Sequence, residues 1–223
     1  MSLVLIRHGK SVWNLENKFT GWYDIELAPE GMIEAEKAAS FLADNEFKPD
    51  VCFTSYLQRA NKTLEIILNH MPVKMVKDIE IIKSWKLNER HYGALQGLNK
   101  DDTKNKYGEQ KFLEWRRSYN IPPPILDEDS IMNPKKDPIY ENENTDELPL
   151  TECLKDTYDR VVPYWTSEIK PLILEKDVMI AAHGNSLRAL CKFLFDIEDD
   201  DIVNLEIPTG NPLLINLDKS CKI

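Results

Sequence analysis

L3-V-L-I-R-H-G9 sets four apolar residues directly before an arginine, a histidine and a glycine, and V178-M-I-A-A-H-G-N185 repeats the arrangement far downstream. A short, continuous apolar run ended by glycine reads as a strand buried on both faces. Residues 3 to 6 and 178 to 182 are therefore predicted as strands, with V51-C-F-T54 as a third and L213-L-I-N-L217 as a last one. Between them the apolar spacing changes to threes and fours, the period of a helix face. Met32, Ala35, Ala39 and Leu42 follow Pro29 and Glu30, while Leu57, Ala60, Leu64, Ile67 and Leu68 follow Ser55 as an expected cap. Leu154, Tyr158, Val161, Val162, Trp165, Ile169 and Leu172 follow Thr151 as another cap, with a bend expected at Pro163. Leu187, Leu190, Cys191 and Leu194 follow Ser186. Strands alternating with helices predict an α/β fold with a mostly parallel central sheet and helices on both faces.

At 223 residues, with 42% apolar and 30% charged side chains, the chain has ordinary globular composition and can bury a sizeable core, so one domain over residues 1 to 223 is expected. A net charge of −10 argues against nucleic acid and anionic membrane surfaces as partners. No apolar stretch approaches the length of a membrane span, and the amino terminus lacks the basic start and longer apolar core of a secretory signal. Cys52, Cys153, Cys191 and Cys221 show no metal-ligand spacing and read as reduced, buried thiols, so the cytosol is the expected compartment. Residues 119 to 150 hold six of the thirteen prolines and eight acidic residues against two lysines, which predicts a long loop or lid.

In open α/β sheets the ligand crevice lies beyond the carboxyl ends of the strands. His8 and His183 both sit at that end, so neighbouring strands would bring two imidazoles to one site, with the glycines permitting close backbone approach. Arg7 and Arg188 near them repel a cation, and no cysteine or carboxylate cluster completes a ligand set, so no metal is expected. Guanidinium groups instead grip a phosphoryl group, and an imidazole nitrogen is a competent covalent nucleophile. Phosphoryl transfer through phosphohistidine follows. Arg59, in the first turn of the helix after Thr54 and Ser55, would add a guanidinium and helix amides, and Arg116 and Arg117 double a basic charge in an acidic chain. Glu89, in the polar segment L87-N-E-R-H-Y-G-A-L-Q-G-L98, is placed to move protons to and from a hydroxyl.

R7-H-G-K-S-V-W-N14, F19-T-G-W22, F53-T-S-Y-L-Q-R-A60, S84-W-K-L-N-E-R-H-Y-G-A-L-Q-G-L-N-K100, W115-R-R117, L148-P-L-T-E-C153, A182-H-G-N-S-L-R-A189 and I207-P-T-G210 together resemble the cofactor-dependent phosphoglycerate mutases of the histidine phosphatase superfamily. The resemblance runs from residue 3 to about residue 217. R-H-G is shared across the superfamily, whereas L-N-E-R-H-Y-G and the paired arginines are more specific to the mutases. The resemblance implies His8 as the nucleophile, with Arg7, Asn14, Arg59 and His183 holding the transferring phosphoryl group and Glu89 as general acid and base. It also implies that Thr20, Gly21, Arg90, Tyr92, Lys100, Arg116, Arg117, Gly184 and Asn185 bind substrate; Lys10 and Ser11, beside His8, are expected to join them. His91 matches by position only.

The implied activity is the interconversion of 3-phosphoglycerate and 2-phosphoglycerate in glycolysis and gluconeogenesis. It is primed by 2,3-bisphosphoglycerate, needs no metal, and by family analogy runs in a homodimer. The alternatives are a phosphatase of the superfamily and a non-catalytic phosphoglycerate-binding protein. Ser11 favours the mutase, since the bisphosphoglycerate synthase and phosphatase branch typically has glycine there. The chain departs from the family pattern twice. Lys10 stands where an acidic residue is usual, and K219-S-C-K-I223 ends without a Lys-rich tail. The second departure predicts more phosphoenzyme hydrolysis, with segment 119 to 150 doing more of the covering.

Overall fold

The computed structural model describes residues 2–216. Five strands, β1 (Ser2–Arg7), β2 (Val51–Thr54), β3 (Glu80–Lys83), β4 (Val178–Ala182) and β5 (Pro212–Asn216), form one sheet in the order β3-β2-β4-β1-β5. All neighbours pair in parallel except β1 with β5. Among the described residues the α-helices are α1 (Val12–Leu15), α2 (Pro29–Asp44), α3 (Gln58–His70), α4 (Lys100–Tyr107), α5 (Glu109–Arg117), α6 (Leu154–Tyr164), α7 (Lys170–Ile173) and α8 (Gly184–Leu194).

The period-two geometry of a strand explains why the central runs are apolar throughout. Leu3, Leu5, Val51, Phe53, Val178 and Ile180 point to one face, where Leu154, Val161 and Trp165 after α6 and Leu187 and Leu190 of α8 cover them. Val4, Ile6, Cys52, Met179 and Ala181 point to the other, against Ala35, Ala39 and Leu42 of α2 and Leu64 and Ile67 of α3. In the β1–β4 register Arg7 lies opposite Ala182, and the His8 N–H donates to the Ala182 carbonyl at 2.9 Å, so His8 and His183 leave adjacent strands at one level.

Several local expectations are corrected. Helix α3 is capped by Leu57 without a side-chain bond, because the Ser55 hydroxyl is engaged elsewhere: it accepts from the Leu57 N–H at 3.1 Å and bonds His183. Thr151 donates to the Pro123 carbonyl, and α6 instead starts at Cys153, whose N–H donates to the Asp156 carboxylate at 2.8 Å. Ser186 lies inside α8, where its hydroxyl accepts from the N–H of the cap residue His183 at 3.1 Å. Met32 is exposed rather than core. After Pro163, which lacks an N–H, the helix passes into a π-helical turn at Trp165–Ile169. Strand β3 and helices α4 and α5 had no expectation. E80-I-I-K83 is a four-residue, largely exposed edge strand, and K100-D-D-T-K-N-K-Y107 is polar on nearly every side, so neither carries an apolar period. The last strand is found at 212–216; Leu217 and the expectation about the chain end lie outside the described residues.

Residues 119–150 are irregular apart from three short 3-10 turns, Pro134–Lys136, Pro138–Tyr140 and Thr145–Glu147. The segment is pinned through buried Tyr140 and Leu148, which pack with Trp22 and Trp85, and through Glu143, which accepts from Tyr56 and from the Trp85 ring N–H.

Candidate active site

A cavity opens at the carboxyl ends of the central strands. His8 sits in its floor, 2% exposed, and its Nδ1 lies 2.7 Å from the Gly9 carbonyl. A carbonyl only accepts, so Nδ1 carries the proton and Nε2 keeps a free lone pair. Burial, reinforced by Arg59 and Arg7, holds the ring well below the usual imidazole value of 6.5, so it is neutral at neutral pH. Gly9 is required by packing: a Cβ there would lie 2.1 Å from the Gly31 carbonyl oxygen of α2. The His183 ring lies behind, centroid to centroid 5.0 Å from His8, fully buried and likewise depressed by burial first and Arg59 second. Its Nε2 is 2.7 Å from the Ser55 hydroxyl, and its Nδ1 has no partner among the described residues.

Arg7 and Arg59 are held by neutral groups, which leaves their charge available to a ligand. Arg59, 1% exposed, donates to the Gly21 and Tyr23 carbonyls at 2.7 and 3.0 Å, and Arg7 donates to the Ile207 carbonyl at 2.8 Å. Burial pushes Arg59 down to about 10, which still leaves it charged. The Nε groups of Arg7 and Arg59 are buried without partners among the described residues. A buried donor left unpaired is costly, and an anionic oxygen would satisfy it.

Glu89 is 7% exposed on a segment clamped from behind: its carbonyl accepts from the Trp22 ring N–H and from Arg160, which also pairs with Glu152 at 2.6 Å. Its Oε1 accepts from the Arg90 N–H at 2.8 Å, the Asn185 N–H at 3.1 Å and the Asn185 amide at 2.9 Å. Among the described residues Oε2 accepts no hydrogen bond, so one carboxylate oxygen is saturated and the other is free for a substrate proton.

Besides Arg7, His8, Arg59 and Glu89, the cavity is lined by Asn14, Thr20, Gly21 and Tyr92 and by Lys100, Arg116, Arg117, Gly184 and Asn185. Burial lowers the Lys100 ammonium, and Arg116 and Arg7 add to the shift. Three residues expected to bind substrate do not line it. Lys10 turns to Glu34, with its N–H 2.8 Å and its ammonium 4.0 Å from that carboxylate. Ser11 forms a reciprocal capping box with Asn14 at the start of α1, which leaves the Asn14 amide N–H₂ free. Arg90 is fully buried, donates to the Arg116 carbonyl at 2.9 Å and lies over the Tyr92 ring. His91 packs against Trp22 outside the cavity, driven down to about 3 by burial and Arg160. No residue of segment 119–150 lines the cavity.

Sequence reasoning missed Lys18, Phe19, Arg188, Glu206 and Ile207 as lining residues. All five lie inside or beside the quoted motifs, so position along the chain could have found them. Glu206 was hidden by its sign: a carboxylate is unexpected in an anion site, and here it pairs with Arg117. Among the described residues no three His, Cys, Asp or Glu side chains converge as a metal ligand set, and no helix is long and apolar enough to cross a membrane.

The sequence profile of the histidine phosphatase superfamily (branch 1) matches residues 3–220. A 2,3-bisphosphoglycerate-dependent phosphoglycerate mutase from Borreliella burgdorferi (strain ZS7) is 54% identical over 218 residues, covering 97% of this chain and 87% of the relative. Among solved structures, a mycobacterial hydrolase superposes with a TM-score of 0.71 at 20% identity, covering 96% of this chain and 87% of that one. A mycobacterial glucosyl-3-phosphoglycerate phosphatase superposes with a TM-score of 0.70 at 20% identity, covering 96% and 92%. At that identity the structural likeness speaks for the fold alone, while the 54% relative speaks for the family. The chain belongs to the histidine phosphatase superfamily, branch 1, and within it to the family of 2,3-bisphosphoglycerate-dependent phosphoglycerate mutases.

Proposed function

We propose that this chain interconverts 3-phosphoglycerate and 2-phosphoglycerate through a phosphohistidine at His8 Nε2. The reaction belongs to both glycolysis and gluconeogenesis, and the 54% identity to a named mutase favours it over the phosphatase alternative. The observation that carries the residue assignment is one cavity holding a neutral imidazole with a free Nε2, the Arg7 and Arg59 guanidinium groups bound only to carbonyls, and a carboxylate with one open oxygen.

When bound, 2,3-bisphosphoglycerate supplies the phosphoryl group that primes the protein; the unpaired, buried Nε donors of Arg7 and Arg59 fit such a polyanion. His8 attacks phosphorus through Nε2, and the Nε2–P bond forms as the P–O bond breaks. Because His8 is buried and already neutral, no proton has to leave it first. Arg7, Arg59, Asn14 and His183 stabilise the charge that spreads over the phosphoryl oxygens. Glu89 gives a proton to the departing oxygen and, in the reverse direction, takes one from the hydroxyl that attacks the phosphohistidine. Lys100, Arg116 and Arg117 hold the carboxylate and resting phosphate. Thr20, Gly21, Tyr92, Gly184 and Asn185 shape the wall around them, so that positioning replaces a bimolecular encounter.

In this reading the chain is one domain, and segment 119–150, expected as a long loop or lid, braces the Glu89 loop through Tyr140, whose hydroxyl accepts from Asn88 at 2.9 Å. Buried, free Cys52, Cys153 and Cys191 fit a reducing cytosol. A homodimer fits the exposed edge strand β3, whose unpaired backbone groups a second copy could pair with. The function is tested by converting 3-phosphoglycerate in excess EDTA, with and without catalytic 2,3-bisphosphoglycerate, while phosphate release is followed in the same sample. Primer-dependent isomerisation is expected. Phosphate release without isomerisation would assign the chain to the phosphatases.

A further inference from the structure

We propose that Arg188 is a positioning residue for the proton-transfer group, holding Glu89 in register through the side-chain amide of Asn185. Arg188 lies one turn after Asn185 on α8 and is 5% exposed. Its NH1 donates to Asn185 Oδ1 at 2.9 Å, and on the other side of the same amide Asn185 Nδ2 donates to Glu89 Oε1 at 2.9 Å. The two ends of a side-chain amide have nearly the same shape, so its partners decide which way it sits. A guanidinium only donates, so it accepts no partner but the amide oxygen, and the N–H₂ group is thereby turned onto the carboxylate. In the flipped amide an oxygen would face Glu89 and an N–H₂ would face a cation, so both contacts would be repulsive.

The consequence lies at the reacting oxygen. With Asn185 locked, Glu89 Oε1 keeps its three N–H donors, while Oε2 lies beside the cavity wall at Gly184, 3.6 Å from where a Cβ there would stand. The same Nδ2 also donates to the Tyr92 hydroxyl at 3.3 Å, but a hydroxyl can donate as well as accept, so without Arg188 that contact no longer tells the amide oxygen from its N–H₂ and the flipped amide becomes accessible. The carboxylate would then lose one donor and the rotation that aims it. A simpler role competes with this one: the second arm of Arg188 donates to the Ile202 carbonyl at 2.6 Å and ties α8 to the turn preceding Glu206 and Ile207 in the cavity wall. The inference rests on the mutase reading, in which Glu89 carries the proton.

The test is steady-state isomerisation by the full chain, comparing wild type with Arg188→Met, Arg188→Lys, Asn185→Ala, Asn185→Asp and the Arg188→Met/Asn185→Ala double variant. Arg188→Met is expected to lower kcat roughly tenfold with KM nearly unchanged. Arg188→Lys keeps one donor for the amide oxygen and should recover most of that loss. The double variant should be no slower than the slower single one, because both remove the same lock. A raised KM at unchanged kcat would make Arg188 a ligand contact, and losses that multiply in the double variant would assign its effect to the cavity wall; either overturns the proposal. If Arg188→Met does not fold, Asn185→Asp decides. It keeps the partner of Arg188 but presents an acceptor to Glu89, so a wild-type kcat there contradicts the lock. A wild type that does not isomerise sinks the mutase reading itself, whereas a turning-over wild type with multiplying losses sinks the inference alone.

Discussion

The two His-Gly endings are alike as sequence and unlike as structure. His8-Gly9 leaves β1 into a loop that crosses α2 backbone to backbone, and the ring turns its Nδ1 onto its own following carbonyl, which frees Nε2. His183-Gly184 leaves β4 directly into α8, and the ring turns Nε2 onto Ser55 at the end of β2. Parallel pairing brings the same dipeptide to the same level twice, and the continuing backbone then assigns the roles. In the proposed mechanism the ring with the open nitrogen acts as the nucleophile, and the ring with the fastened one stabilises charge. The glycines divide likewise. Gly9 serves packing, whereas a Cβ on Gly184 would stand 3.4 Å from the Arg7 guanidinium, at the cavity.

The largest expected effect separates the histidines. His8→Ala should abolish both phosphoenzyme and turnover, while His183→Ala should still be phosphorylated at His8, with kcat lower by about 10²–10³; equal loss of phosphorylation in the two variants would erase the distinction. The glycines come next. Gly9→Ala forces a methyl group to within 2.1 Å of the Gly31 oxygen and should cost about 1–3 kcal/mol, read as a Tm lower by several degrees. Gly184→Ala should keep its Tm and raise KM, since its Cβ meets only ordinary contacts.

Titration sharpens what the rings share. Both are held below 6.5 by burial first, so the unfolded chain binds protons at a higher pH than the folded one. Their contribution to stability is complete above about 6.5 and is lost as pH falls below it. Denaturant melts from pH 8 to 5 should show that loss in wild type, and less of it in His183→Gln. Phosphorylation of His8 should meanwhile show no inflection near 6.5. The smallest effect belongs to Ser55→Ala, which unfastens His183 Nε2 and should slow turnover by about threefold to tenfold.

Legibility followed the same division. The central strands were readable because burial on both faces demands an unbroken apolar run, and that run places His8 and His183 together once the strands are neighbours. The edge strand β3 and the polar helix α4 were not, because neither has a face that must be apolar. The caps failed where a distant group claimed the hydroxyl: Ser55 serves His183 and Thr151 serves Pro123. At the site, motif position located most of the lining but could not give side-chain direction. Lys10 is two residues from His8 yet turns its charge to Glu34, while Arg188, read from the sequence only as a charge near His183, reaches the cavity and bonds Asn185.

The most direct test of the account is to mix the chain with 2,3-bisphosphoglycerate, quench in alkali and locate the phosphate by peptide mapping and phosphorus NMR. The account expects one acid-labile phosphate, on Nε2 of His8. Phosphate on Nδ1, on His183 or on no histidine at all would contradict it.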